Sequence, residues 1–212
     1  MRTRMLALFL VTFASLAIAG DKGFTPPPAA HATTYPLVET HDDERVSIAV
    51  DSFERPPKAS IFHVNYRENG FLVLRLIISN DGAKPLMLDS LKINYFTLRR
   101  DKLAPATKDD LVRRLSHPSR PENRTRSPLP IPGTRKSHAA ISKETLEEVE
   151  SAMFVPVPVT PHSTNSGFLF IDVQDIDDPK TAAHLSISGI KAGTQELFYF
   201  DIPLGESPAT AR

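Results

Sequence analysis

FLVLRLIISNDGAKPLMLDSLKINYFTLRR, residues 71–100, decides the fold. Leu72, Leu74, Leu76 and Ile78 recur at the two-residue period of a strand and share one face. Phe71, Val73, Arg75 and Ile77 make the opposite face mostly apolar too. A strand apolar on both faces is central in a sheet, or has something packed against each side. Asn80-Asp81-Gly82 supplies residues that tolerate positive φ, and Pro85 stops pairing just beyond. Apolar residues resume at Leu86, Leu88, Leu91, Ile93 and Tyr95. The stretch predicts two long strands joined by a tight turn, the central hairpin of an all-β domain.

Upstream, Val46–Asp51 alternates as a first strand and Ala59–Tyr66 as a second, with Arg67–Gly70 as the turn into the hairpin. In that second strand His63 is expected on a solvent face. Downstream, Thr107–Leu115 reads as a short helix with Thr107 as N-cap and Asp110 at the third position. Ser142–Met153 reads as another, with Leu146, Val149 and Met153 as its apolar stripe and Glu144, Glu147, Glu148 and Glu150 around the rest. Phe154–Thr160 is an extended edge segment, because Pro156 and Pro158 lack amide donors on the same side. Phe168–Val173 is apolar on both faces and so predicted central. Leu185–Ser188 and Gln195–Ile202 make a last hairpin around Lys191–Thr194. The predicted fold is an all-β, immunoglobulin-like antiparallel sandwich of about seven to nine strands. Two short helices flank a long basic, proline-rich loop.

Composition bounds the function. The formal charge is zero over 212 residues, so no global field draws the chain to nucleic acid. There are no cysteines, which excludes disulfides, thiol catalysis and cysteine zinc sites. Met1–Arg4 is a basic start, Met5–Leu16 an apolar run, and Ala17-Ile18-Ala19 a small-x-small cleavage site. Residues 1–19 therefore predict a secretory signal peptide and an exported, periplasmic or extracellular protein. The rival is a retained anchor, for which the run is short. No other stretch is apolar and long enough to span a bilayer. Cleavage removes Arg2 and Arg4 and leaves 23 − 25 = −2. Residues 20–44, with Pro26-Pro27-Pro28, are expected to be a flexible leader, 45–204 the sandwich domain and 205–212 a tail.

Arg113 to His138 holds seven Arg/Lys against one acid, Glu122. Arg113, Arg114, Arg120, Arg124, Arg126, Arg135 and Lys136 are the candidate binding residues, for an anionic envelope component or an acidic protein. Within it, residues 117–138 have the composition of a long insertion, either functional or simply solvated. Asn123-Arg124-Thr125 is a glycosylation sequon, meaningful in a eukaryotic secretory route. Two acidic runs, Asp42–Glu44 beside His41 and Asp175–Asp178, offer a divalent-cation alternative, though neither has the calcium-loop pattern. No nucleophile elbow, zinc-protease pair, phosphate loop or dinucleotide fingerprint is present, so no catalytic, metal or cofactor residues are assigned. An envelope-polymer hydrolase is the enzymatic alternative and would need facing carboxylates in a cleft. The leading expectation is a non-catalytic binding or scaffolding module. It would act through the basic stretch or through an exposed sheet edge.

VSIAVD, KASIFHV, GFLVLRLIISNDGAKPLML, DKLAPAT, DLVRRL, VTPHSTNSGFLFIDV and ELFYFDIPL together resemble a group of uncharacterised secreted bacterial proteins with immunoglobulin-like β-sandwich domains. The resemblance spans roughly residues 35–204 and is loosest in the basic middle. It implies a sandwich outside the cytoplasm. The group brings no assigned activity, so it implies no functional residues.

Overall fold

A computed structural model describes residues 24–117 and 141–205. Among these residues the chain is mostly β, with antiparallel sheets and two α-helices. The strands are β1 (Leu37–His41), β2 (Val46–Ser52), β3 (Phe71–Asn80), β4 (Leu86–Met87), β5 (Lys92–Phe96), β6 (Lys102–Leu103), β7 (Ser163–Asp172), β8 (His184–Ser188), β9 (Lys191–Ala192), β10 (Gln195–Glu196) and β11 (Phe200–Pro203). The helices are α1 (Lys108–Ser116) and α2 (Lys143–Ala152). One four-stranded sheet runs β1-β2-β3-β7 and another β11-β8-β5-β6, while β10-β9-β4 form a small third.

Every residue of β3 is buried. Leu72, Leu74, Leu76 and Ile78 share one core with Tyr95, Leu185, Ile187, Phe200 and Ile202 of the second four-stranded sheet. Phe71 and Val73 face the other way, into a cluster with Phe53, Phe62, Tyr66, Phe168, Phe170 and the helix residues Leu111, Val149 and Ala152. Ile77 packs on that same side with Ala49 and Ala32. The two-sided apolar pattern thus reflects three layers: a sheet, a second sheet, and a cover of helices and N-terminal chain. Each large side chain moved from water in this way contributes about 1.5–3 kcal/mol.

The predicted hairpin does not form. β3 pairs with β2 and β7, and the chain leaves the sheet at Asn80 to enter the small third sheet at β4 and then the second four-stranded sheet at β5. Neither Asp81 nor Gly82 adopts positive φ, which the tight two-residue turn requires. The Asn80 amide instead donates to Lys84 O (2.9 Å) and Val159 O (3.0 Å), and its oxygen accepts from Gly82 N–H (2.9 Å). These bonds build a corner between layers.

The stretch read as a flexible leader is part of the domain from residue 24. Phe24 stacks on Phe62 at 5.3 Å, Ala32 N–H donates to Ser79 Oγ at 2.8 Å, and Arg75 donates to Pro27 O. Leu37–His41 then forms β1 against β2. Ala59–Tyr66 is not a strand: Lys58–Ile61 is a 3-10 turn, and Phe62 and Tyr66 meet edge to face at 5.3 Å. Four-residue spacing, not alternation, buries those rings. β7 begins at Ser163, earlier than expected, and is bordered by a named strand on one side only. The last hairpin is split: β8 pairs with β11, and β9–β10 join β4 in between. Both helices form as read, with Thr107 and Ser142 as N-caps.

Candidate functional site

The two four-stranded sheets meet differently along their two long sides. On one side lie β7 and β5. The outer edge of β7 is covered twice: Phe154 N–H donates to Phe168 O (2.9 Å) and Ala106 N–H donates to Phe170 O (2.7 Å). Phe154 reaches it because residue 167 is glycine; a Cβ there would lie 2.4 Å from Phe154 Cα. From Phe154 a proline-rich strap continues to Val159, whose N–H and C=O both pair with Leu86 at 2.9 Å. The strap leaves Val155 and Val157 exposed.

β5 is less protected. Its outer neighbour β6 pairs only with Tyr95 and Phe96. Two residues further along, the register would set Pro105 opposite Ile93, and a proline has no N–H to offer. The ladder therefore stops, and beside it opens a slot of about 250 Å³. Leu91 and Ile93, Pro105 and Ala106, Met153, Phe154 and Pro156, and Phe168–Phe170 line it. An unpaired strand edge next to an apolar slot is what an added strand needs: main-chain partners for its backbone and a place for one side chain.

A second concave region lies over the aromatic cluster and is lined by Phe53–Pro56 and Ala59–Glu68. Its buried carboxylate is already engaged. Glu54 is buried and holds Arg67 at 2.8 Å and Lys180 at 2.5 Å. Below it Glu148 of α2, fully buried, accepts from His63 N–H (2.5 Å), His63 Nδ1–H (2.8 Å) and Tyr66 O–H (2.9 Å). Glu148, expected with the glutamates outside the apolar stripe, is buried, whereas His63 is exposed as expected but in a loop rather than a strand; the carboxylate ties the 58–70 loop to α2. Burial, then the Glu148 charge and hydrogen bond, push the Tyr66 phenol well above its ordinary pKa, so it stays a donor. Periodicity along α2 could not reveal this, because the partners lie more than eighty residues away.

Of the candidate basic residues, Arg120, Arg124, Arg126, Arg135 and Lys136 lie outside the described residues, as do residues 1–23. Arg114 is turned inward, bonded to Asp172 Oδ2 (2.5 Å) and Gln174, with its guanidinium 5.5 Å from the Phe71 ring centroid. Arg113 is exposed and pairs with Asp110 at 2.7 Å. Glu150 of α2 pairs with Lys108 of α1, and Glu147 with Lys143. Among the described residues no three His, Asp or Glu side chains converge as a metal site. Asp178 bonds Thr181, and Asp101 bonds Thr97. No helix among them is long and apolar enough to cross a membrane. Comparison with family models, curated proteins and solved structures finds no match.

Proposed function

We propose that the protein is an exported, non-catalytic binding module of immunoglobulin-like topology that captures an extended segment of a partner polypeptide beside β5. The β5–β6 ladder that ends at Tyr95, two residues short of Ile93 and next to an apolar slot, carries this reading. The export half rests on the pattern of residues 1–19. Two antiparallel sheets sharing one core support the topology. The partner strand would supply the backbone donor that Pro105 cannot, and place one apolar side chain between Ile93 and Phe154. Specificity then comes from alternate residues of the partner, since only every second side chain faces the slot. The anionic-surface reading of residues 113–138 makes a different forecast, salt-sensitive binding of acidic ligands.

The test is selection of displayed random peptides on the whole exported protein. Strand addition predicts enriched peptides with alternating apolar residues, bound equally at low and high salt. Ile93→Arg should abolish binding and Ile93→Leu retain it. Acidic peptides released by salt and unaffected by Ile93→Arg would overturn strand addition in favour of the basic stretch.

A further inference from the structure

Along the other long side, β1 of one sheet faces β11 of the other, and no backbone ladder joins them among the described residues. Two carboxylates do so instead. Glu39 Oε2 accepts from Asp201 N–H at 2.5 Å, and Glu44 Oε1 accepts from Phe198 N–H at 2.9 Å. The remaining oxygen of each meets the same imidazole: Glu44 Oε2 lies 2.9 Å from His41 Nδ1, and Glu39 Oε1 lies 3.1 Å from His41 Nε2. The ring itself stacks on Phe200, centroids 3.9 Å apart and planes 12° from parallel.

We infer that His41 is a doubly protonated clamp closing this side of the sandwich, and that losing one of its protons loosens β11. Ionised carboxylates only accept hydrogen bonds, so a carboxylate on each ring nitrogen requires a proton on each. A neutral ring would turn one lone pair toward a carboxylate oxygen at about 3 Å, replacing attraction by repulsion. Burial by itself lowers the His41 pKa, but the hydrogen bonds and charges of Glu44 and Glu39 outweigh it, and the net shift is upward from 6.5. The sign follows. A pKa raised in the closed state makes the clamp fully effective below 6.5 and lost as pH rises through the closed-state value.

The groups facing the clamp are Glu39 on β1, Glu44 in the β1–β2 turn, and Asp201 on β11. Asp42 and Asp43 in that turn are exposed. Asp201 turns its carboxylate to His184 Nε2 at 3.6 Å. β11 is the outer strand of its sheet, and just before it Phe198 and Tyr199 are 76% and 65% exposed. Release of the Phe198 and Asp201 amides would free an aromatic-flanked strand edge once the pH has risen through the closed-state value, while acid holds it shut. This inference is independent of the slot beside β5.

The experiment follows the whole protein by NMR between pH 5 and 9. Long-range proton–nitrogen correlations should show both His41 ring nitrogens protonated in acid, with a midpoint above 6.5. Amide-exchange protection at Phe198 and Asp201, relative to Leu185, should fall by up to about tenfold per pH unit between 6.5 and that midpoint. Glu44→Gln should lower the midpoint, His41→Gln should remove the step, and His184→Gln should keep it. A midpoint at or below 6.5, a singly protonated ring in acid, or a step that persists in His41→Gln would overturn the inference.

Discussion

Glu148→Ala is the sharpest test of how the aromatic layer is held. The substitution removes a fully buried carboxylate that accepts from His63 N–H, His63 Nδ1–H and Tyr66 O–H. The His63 ring is 67% exposed, so water replaces its bond cheaply and that contact adds little. The Tyr66 hydroxyl and the His63 amide have no such rescue, and each bond to a charged acceptor contributes about 1.5–3 kcal/mol. Breaking a buried charged network from one side costs about 3–5 kcal/mol. At about 2–4 °C per kcal/mol for a chain of this size, Tm should fall by roughly 6–20 °C. Thermal unfolding followed by far-UV circular dichroism measures it, with urea unfolding giving the free energy, since the chain has no tryptophan to report by fluorescence. Tyr66→Phe should cost about 1.5–3 kcal/mol, and the double variant should show a coupling of about 0.5–3 kcal/mol. A loss below about 1 kcal/mol for Glu148→Ala would refute the reasoning, because the bonds would then merely offset the desolvation of the carboxylate.

Gly167→Ala places a methyl 2.4 Å from Phe154 Cα and 2.9 Å from its nitrogen, both backbone atoms that cannot rotate away. It should cost about 1–3 kcal/mol and speed proteolysis at Val155–Val157 as the strap lifts, while an unchanged melt and cleavage rate would contradict the contact. Thr107→Ala removes the N-cap that bonds Asp110 N–H at 3.2 Å, and should cost α1 about 1 kcal/mol. The hydroxyl and amide of Thr107 also hold the Asp110 carboxyl below 3.8, so this support exists above that value and is lost as pH falls through the lowered one. Amide shifts of Asp110 and Leu111 should move in acid with a midpoint that is lower in the native protein than in Thr107→Ala.

What could be read from the sequence is what depends on neighbours a few residues away. Thr107 with Asp110, and Ser142 with the turn after it, are local devices and formed as read. The burial of both faces of β3 was legible too, because alternation records burial directly. Its partners were not, since a strand carries no label for what pairs with it. Asn80-Asp81-Gly82 looks like a tight turn until Asn80 is seen to bond Val159, nearly eighty residues on. Residues 24–35 lack periodicity because they dock through backbone groups and small side chains, Ala32 on Ser79 and Pro27 under Arg75. The slot beside β5 was foreseen only as a kind of site, an open edge; its place depends on Pro105 falling where a donor is needed. The His41 clamp left a trace, a histidine among acids, but the two amides it secures come from the far end of the chain.

The pairing of β3 with β7 carries a consequence for how the chain reaches this state. Asp172 sits opposite Phe71, roughly a hundred residues earlier, and Ser163 opposite Asn80. Contacts of such separation form late, because the loop between them must close first. Until β7 arrives, a ten-residue apolar strand has one bare edge and, before α1 and α2 dock, one uncovered face. Such an intermediate is sticky. A chain ending before Ser163 would hold this exposed edge permanently, which makes the late segment of the sequence a guard against self-association as well as a strand.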